Sequence, residues 1–249
     1  MIDLSNKVTL VTGGSRGIGE ACVKLFVKAN SKVAFTFKSA KARADRIEKE
    51  FDGMAKAYRV DMESEKDIVN AVEQVVSDFG KIDILVHNAG IWNDGTLEKM
   101  SIDHWNELIN VNLTSTFVFA KACSPYMKKN NFGRMIFVSS TAGQRGEAFH
   151  SHYAASKGGM ISFTKSLAVE LARFDITANS VAPGWVDTDL NNKVFADEEF
   201  KQKILKEIPV GRIPTAEDIA GPIVFLASDL ARHINGEILN VNGGSVLCG

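Results

Sequence analysis

Tyr153 and Lys157 stand four residues apart at the head of Tyr153-Ala154-Ala155-Ser156-Lys157-Gly158-Gly159-Met160-Ile161, a stretch whose apolar members repeat at helical spacing. Residues i and i+4 of a helix share a face, so this phenol and this ammonium can meet. A free phenol titrates near ~10, too high for ready proton exchange at neutral pH. A neighbouring cation favours the phenolate and lowers that value. A lowering of about three units corresponds to roughly 4 kcal/mol. Such a tyrosine can donate a proton to a carbonyl or accept one from an alcohol. Solvated helix faces also produce Tyr-x-x-x-Lys by chance, so the remaining residues have to supply the reaction.

A second constellation lies near the start of the chain. Val8-Thr9-Leu10-Val11 reads as a strand and runs into Thr12-Gly13-Gly14-Ser15-Arg16-Gly17-Ile18-Gly19, followed by a helical stretch. Glycines permit a tight turn and close approach of the main chain to a pyrophosphate, while the helix start offers free N–H groups and a positive dipole end. A purely structural glycine turn is the plain alternative; placement between a first strand and a helix favours dinucleotide binding. The second strand ends Phe35-Thr36-Phe37-Lys38-Ser39, without the carboxylate that would hold the ribose 2′-hydroxyl of NAD(H). Lys38 and Arg16 can approach a 2′-phosphate instead, as point charge and fork. This favours NADP(H) over NAD(H), against the alternative of Lys38 as a solvated loop lysine.

The elements that must position these groups alternate. Lys7–Val11, Lys32–Phe37, Ala55–Val60, Ile82–His87, Met135–Val138, Thr177–Val181 and Ile238–Val241 read as strands, several continuously apolar as in sheets covered on both faces. Gly17–Asn30, Lys41–Phe51, Glu65–Phe79, Ser101–Lys129, His152–Arg173 and Thr215–Leu226 read as helices. Repeated β-α-β predicts an α/β fold: one Rossmann-type, doubly wound parallel sheet of about seven strands with helices on both faces. Right-handed crossovers would gather the loops after the strands at one edge, where ligands of such sheets bind. Residues 1–249 are expected to form a single dinucleotide-binding and catalytic domain. Asp187–Pro214, polar and acidic and ending near two prolines, reads as a small mobile segment over the site.

Composition narrows the function classes. With a formal net charge of −1, the chain has no basic field to recruit nucleic acid or anionic lipid. Cys22, Cys123 and Cys248 are far apart and form no metal-binding cluster, so no metal is expected. Free thiols imply a reducing compartment. No apolar run reaches the roughly 18 residues of a membrane span. The start, Met1-Ile2-Asp3-Leu4, lacks a basic segment or cleavage site, and a cytoplasmic location is expected.

Taken in order, the motifs resemble the short-chain dehydrogenase/reductase family from end to end. They are the glycine loop, Asp61 after the third strand, Asn88-Ala89-Gly90 after the fourth, Asn112 in the long central helix and Ser140 after the fifth strand. Tyr153 with Lys157, Pro183-Gly184 after the sixth strand, and Thr188 complete the set. The resemblance implies that Tyr153 exchanges the proton, Ser140 orients the substrate carbonyl, and Lys157 binds the nicotinamide ribose while depressing the tyrosine pKa. Asn112 would help hold a water linking Lys157 to solvent. Asp61 and Met62 would meet the adenine, and Asn88, Ala89 and Gly90 the adenosine ribose. Pro183, Gly184, Val186 and Thr188 would fix the carboxamide. Each has a bland rival: Ser140 as a turn cap, Asn112 as an ordinary polar residue, Pro183-Gly184 as a turn.

Within that family the chain is most similar to the 3-oxoacyl-[acyl-carrier-protein] reductases, which use NADPH. That similarity implies a β-keto thioester substrate on acyl carrier protein or coenzyme A, a role in fatty acid biosynthesis, and a homotetramer paired through Ser101–Lys129 and His152–Arg173. The tail Val246-Leu247-Cys248-Gly249 could bury itself at a second contact. At the basic positions that usually dock the acidic carrier the chain has Asn131 and Phe174, with Lys128, Lys129 and Arg173 close by. A dehydrogenase or reductase of a small ketone, alcohol or sugar stays open, as does, more distantly, a catalytically silent dinucleotide-binding protein. His87 replaces a second asparagine common in the family and reads as a strand-end variant. His150 and His152 flank the tyrosine, where they could tune specificity or be satisfied by neighbours. Trp92, Phe149 and Trp185 could line an apolar pocket or belong to the core.

Overall fold

The computed structural model describes residues 2–247 and contains one sheet with strand order β3-β2-β1-β4-β5-β6-β7, every pairing parallel. The strands are β1 (Val8–Val11), β2 (Lys32–Phe37), β3 (Ala55–Arg59), β4 (Ile84–His87), β5 (Gly133–Val138), β6 (Ile176–Pro183) and β7 (Ile238–Val241). The order reverses between β1 and β4, so a crevice opens there at the carboxyl ends of the strands.

Period-two side-chain alternation divides the core in two. Val11, Val86 and Ile136 point to the face packed by Phe26 of α1 (Gly17–Lys28) and Ile223 of α10 (Ala216–Ala227). Leu10, Leu85 and Phe137 point to the other, packed by Val72 of α3 (Glu65–Phe79), Phe119 of α5 (Ser115–Asn130) and Met160 of α7 (Ser151–Leu171). Both faces are therefore dry, which is why the central strands are apolar without alternation. Cys22 and Cys123 are buried free thiols within these layers. α2 (Lys41–Glu50) runs between β2 and β3.

One expected helix needs correction. Ser101–Lys129 is not one regular helix: α4 (Ile102–Ile109) passes through a π turn, Asn110–Thr114, into α5. Ser115 Oγ donates to the Val111 carbonyl at 2.6 Å and Thr116 Oγ1 to the Asn112 carbonyl at 2.7 Å, so hydroxyls take carbonyls that the widened turn releases. Residues 187–214, expected as a small segment over the site, contain short helices. They hold a 3₁₀ turn at Asp189–Asn191, α8 (Asn192–Phe195) and α9 (Glu198–Glu207), the last capped by Asp197 accepting from the Phe200 N–H at 3.1 Å. A short α6 (Thr141–Arg145) follows β5 and was not foreseen, being five residues long. At the tail, Val246 is buried and Leu247 exposed, while Cys248 lies outside the described residues. Among the described residues no helix is long and apolar enough to cross a membrane.

Candidate active site

A cleft of about 400 Å³ opens at the carboxyl ends of the central strands. Its nucleotide end is the loop after β1. Thr12 Oγ1 accepts from the N–H groups of Asn88 (3.0 Å) and Ala89 (2.9 Å), and Asn88 Nδ2 donates to the Thr12 carbonyl at 3.1 Å. These bonds join the loops after β1 and β4, where the strand order reverses. A Cβ on Gly19 would stand 2.1 Å from the Gly13 carbonyl oxygen, so glycine alone lets α1 start against its own loop. Arg16 caps α1 without a side-chain hydrogen bond, leaving no side chain claiming the first N–H groups. Gly13, Ser15, Arg16, Gly17, Ile18, Lys38, Met62, Asn88, Ala89 and Gly90 all line the cleft.

Two expected nucleotide contacts sit differently. Lys38 Nζ lies 2.9 Å from Asp61 and 3.5 Å from Glu63, so the cation that would greet a 2′-phosphate already holds two carboxylates. Its hydrogen bond with Asp61 is the main cause that raises the lysine pKa and lowers the aspartate's. Asp61 lines a neighbouring hollow with Lys38 and Arg59, whereas Glu63 lines the cleft. Glu63 went unforeseen, since a carboxylate four residues beyond β3 carries no motif. Arg43 of α2 forms an ion pair with Asp189, linking α2 to the turn after β6.

The reacting end collects Ser140, Tyr153, Lys157, Pro183, Gly184, Val186 and Thr188 around the cleft. Ser140 Oγ accepts from the Ala142 N–H at 3.1 Å, capping α6, and also interacts with the Tyr153 phenol. Cap and contact are therefore compatible roles. Lys157 is 3% exposed; its ammonium donates to the Val138 carbonyl at 2.8 Å and lies 5.8 Å from the centre of the Tyr153 ring. Asn112 is fully buried in the π turn behind the cleft. Its Oδ1 accepts from the Ile91 N–H at 2.8 Å, while its Nδ2 donates to the Ile91 carbonyl at 2.9 Å and to Ser156 Oγ at 3.2 Å. The side chain is thus a brace between the loop after β4 and α7, and its main-chain carbonyl accepts from Thr116.

The charge pattern corrects a further expectation. Burial pushes the Tyr153 phenol up to about 12; the Ser140 contact pulls the other way and the Glu147 carboxylate adds to the rise. Burial brings Lys157 down to about 8. Removal of the phenolate from water is the largest cause of the rise, and the Lys157 ammonium, bonded to the end of β5, is not among the causes that lower it.

Trp92 and Trp185 line the cleft, meeting edge to face at 5.9 Å. Phe149 does not: it is 67% exposed, with a left-handed φ of 64°. His87 is buried, within 3.0 Å of Ser115 Oγ, and burial holds its pKa down at about 3. His150 stacks on Trp92 at 4.3 Å, and its Nε2 lies 2.8 Å from an Asp94 carboxylate oxygen. His152 Nε2 reaches Asn93 Oδ1 at 3.1 Å. Glu147 was missed by sequence reasoning. It lines the cleft and accepts a 3.4 Å contact from the Trp92 indole N–H. Among the described residues no group of three His, Cys, Asp or Glu side chains is placed to hold a metal.

Comparison with known proteins places this geometry. The family model described as enoyl-(acyl carrier protein) reductase matches residues 13–245. The chain is 41% identical over 246 residues to a 3-oxoacyl-[acyl-carrier-protein] reductase of Aquifex aeolicus, with 98% of each chain covered. It is 39% identical over 243 residues to the protein of that name from Escherichia coli, again with 98% of each covered. Among solved structures, the crystal structure of gox2181 superposes with a TM-score of 0.94 at 30% identity, covering 98% of this chain and 97% of the other.

Proposed function

The chain belongs to the short-chain dehydrogenase/reductase family, and on that footing we propose that it is an NADP(H)-dependent reductase of 3-oxoacyl thioesters, carried on acyl carrier protein or coenzyme A. One observation carries the reading: Ser140, Tyr153 and Lys157 converge at the inner end of a cleft whose outer end is the glycine loop and Lys38. The cleft suits a dinucleotide. A Cβ on Gly90 would fall 3.1 Å from Asn112 Oδ1 and 3.5 Å from Lys157 Nζ, so glycine leaves bare backbone beside the lysine where a ribose can rest.

Bound nicotinamide dinucleotide supplies the hydride for the carbonyl carbon. The protein's residues handle the oxygen. Ser140 donates a hydrogen bond to it and holds it against Tyr153, and the phenol passes its proton to the oxygen as charge develops there. Burial keeps the Tyr153 phenol protonated at neutral pH, the form that reduction requires. Lys157 holds a ribose hydroxyl and keeps a positive charge below the reacting oxygen.

For a carrier-bound substrate, the relevant surface is the ridge where Lys128 Nζ and Arg173 Cζ lie 5.2 Å and 4.7 Å from the Phe174 ring. Two cations near one ring support docking of an acidic carrier despite Asn131 and Phe174 at the usual basic positions. Phe117 on α5 is 48% exposed and Val169 on α7 is 83% exposed, as apolar groups awaiting a homotetramer contact would be. A second reading, reduction of a small polyhydroxylated ketone or sugar, is favoured by Glu147, whose carboxylate in the cleft can accept hydrogen bonds from substrate hydroxyls.

Nicotinamide absorbance decides among these readings. Acetoacetyl thioesters of coenzyme A and acyl carrier protein are expected to consume NADPH with kcat/KM well above simple ketones and sugars. Faster turnover of a sugar or simple ketone would transfer the assignment to the second reading.

A further inference from the structure

Asn93, in the loop after β4, receives two imidazoles from two different helices. His104 Nε2 of α4 lies 2.9 Å from its Oδ1 and His152 Nε2 of α7 lies 3.1 Å from the same atom; the two nitrogens are 3.4 Å apart. The rings meet edge to face, centroids 4.7 Å apart. An amide oxygen only accepts, so each imidazole presents Nε2–H to it, and the unprotonated nitrogen of His152 is Nδ1. That atom is buried with no hydrogen-bond partner, and His152 is itself fully buried.

Around this point the loop is bound to the segment leading into α7. The Gly95 N–H donates to the Phe149 carbonyl at 2.7 Å, Gly95 bridges His150, and Trp92 stacks on His150. His152 precedes Tyr153 directly, so whatever fixes the first turn of α7 fixes the phenol and the Trp92 wall facing it.

We infer that the Asn93–His104–His152 node is a positioning device, holding the Trp92 loop against the helix that carries Tyr153 only while the buried His152 ring is neutral. It rests on the reading of Tyr153 as proton donor. A second proton on His152 would place an N–H at buried Nδ1, where the His150 main chain offers only a weak, opposing stabilisation, and a positive charge 3.4 Å from the His104 nitrogen. Burial is the main cause that lowers the His152 pKa, followed by His104 and His150. The groups facing the node are His104 from α4, with Asp103 and Glu107 as its helix neighbours, and His150 at the start of α7. Asp94 lies 2.8 Å from His150 and Glu147 4.0 Å, so both carboxylates bear on His150 rather than on His152. Because the folded form favours the neutral ring, the fastening is complete above the ordinary histidine pKa and is lost as pH falls below it.

Amide hydrogen exchange at Gly95, measured on the full chain without substrate between pH 5 and 8, reads the fastening directly. In the wild type its protection is expected to drop several-fold at the acid end. The double variant His104→Gln/His152→Gln keeps a donor at each position but gains no proton, and is expected to lose that acid response. His152→Phe lacks the donor and is expected to lose protection at every pH, raising KM more than it lowers kcat. His104→Phe, at a half-exposed site, repeats the test if His152→Phe fails to fold. The inference is overturned if wild type and double glutamine variant share one pH response, or if His104→Phe leaves Gly95 protection and KM unchanged. A substrate other than a thioester would alter turnover but not Gly95 exchange, which keeps the two failures apart.

Discussion

The Lys157 ammonium donates to the Val138 carbonyl at 2.8 Å, at the end of β5, although its helical register with Tyr153 brings it within 5.8 Å of that ring. The strand end thus fixes where the cation sits, and the helix fixes only that it shares a face with the phenol. A buried cation with one carbonyl partner is poorly stabilised without nucleotide, and its pKa falls from 10.5 to about 8.

Replacing it should therefore strengthen the fold while ending turnover. The folded pKa lies below the unfolded one, so the unfolded chain binds more protons between about pH 8 and 10.5, and stability rises with pH across that window. The full shift corresponds to roughly 3 kcal/mol, and leaving the Val138 carbonyl without its donor returns about 1–3 kcal/mol. Lys157→Met is expected to raise Tm at pH 7 by about 2–4 °C, an advantage that vanishes near pH 10.5. Thermal unfolding at the two pH values checks it; a lower Tm at pH 7 would contradict the account.

Tyr153→Phe removes the exchangeable proton and little volume. Turnover should fall by about 10²–10⁴-fold. Nucleotide affinity, followed by quenching of tryptophan fluorescence, should stay within a few-fold of wild type. In the wild type, reduction should hold level through neutrality, because the phenol is protonated, and decline above about pH 8 as Lys157 loses its charge. A residual rate close to wild type in the phenylalanine variant would end the assignment.

Cofactor preference should depend on the carboxylates that already hold Lys38. Lys38→Asp places a third negative group there and should turn preference toward NADH. Glu63→Gln removes the carboxylate that lines the cleft and should tighten NADPH several-fold while leaving NADH nearly unchanged. Kd values for both nucleotides, measured by fluorescence titration, provide the check; equal changes for the two would mean that Glu63 does not sense the 2′-phosphate.

Asn112→Leu should damage fold and site together. The Ile91 N–H and carbonyl and Ser156 Oγ would each lose a buried partner. The destabilisation should be about 2–4 kcal/mol. Asn112→Asp keeps the acceptor for Ile91 N–H but loses both donated bonds, and should fall between leucine and wild type in Tm and in kcat.

Much of the site was legible because its signals are local. Thr12 to Gly19 is a glycine turn between a strand and a helix, and Tyr153 and Lys157 share one helical face whatever surrounds them. Two dry sheet faces leave continuous apolar strands, which is how β1, β4 and β5 announced themselves. The π turn at Asn110–Thr114 was not legible, since it depends on Asn112 finding Ile91 and Ser156 across the fold. Nor were the carboxylates on Lys38, the Glu147 contact with Trp92, or the meeting of His104, His152 and Asn93. Sequence periodicity determined the elements and the residues able to react, because backbone geometry repeats over a few residues. Tertiary structure alone decided which partners those residues hold and how far burial moves their protons, because desolvation and long-range contacts follow from packing between segments far apart in the chain.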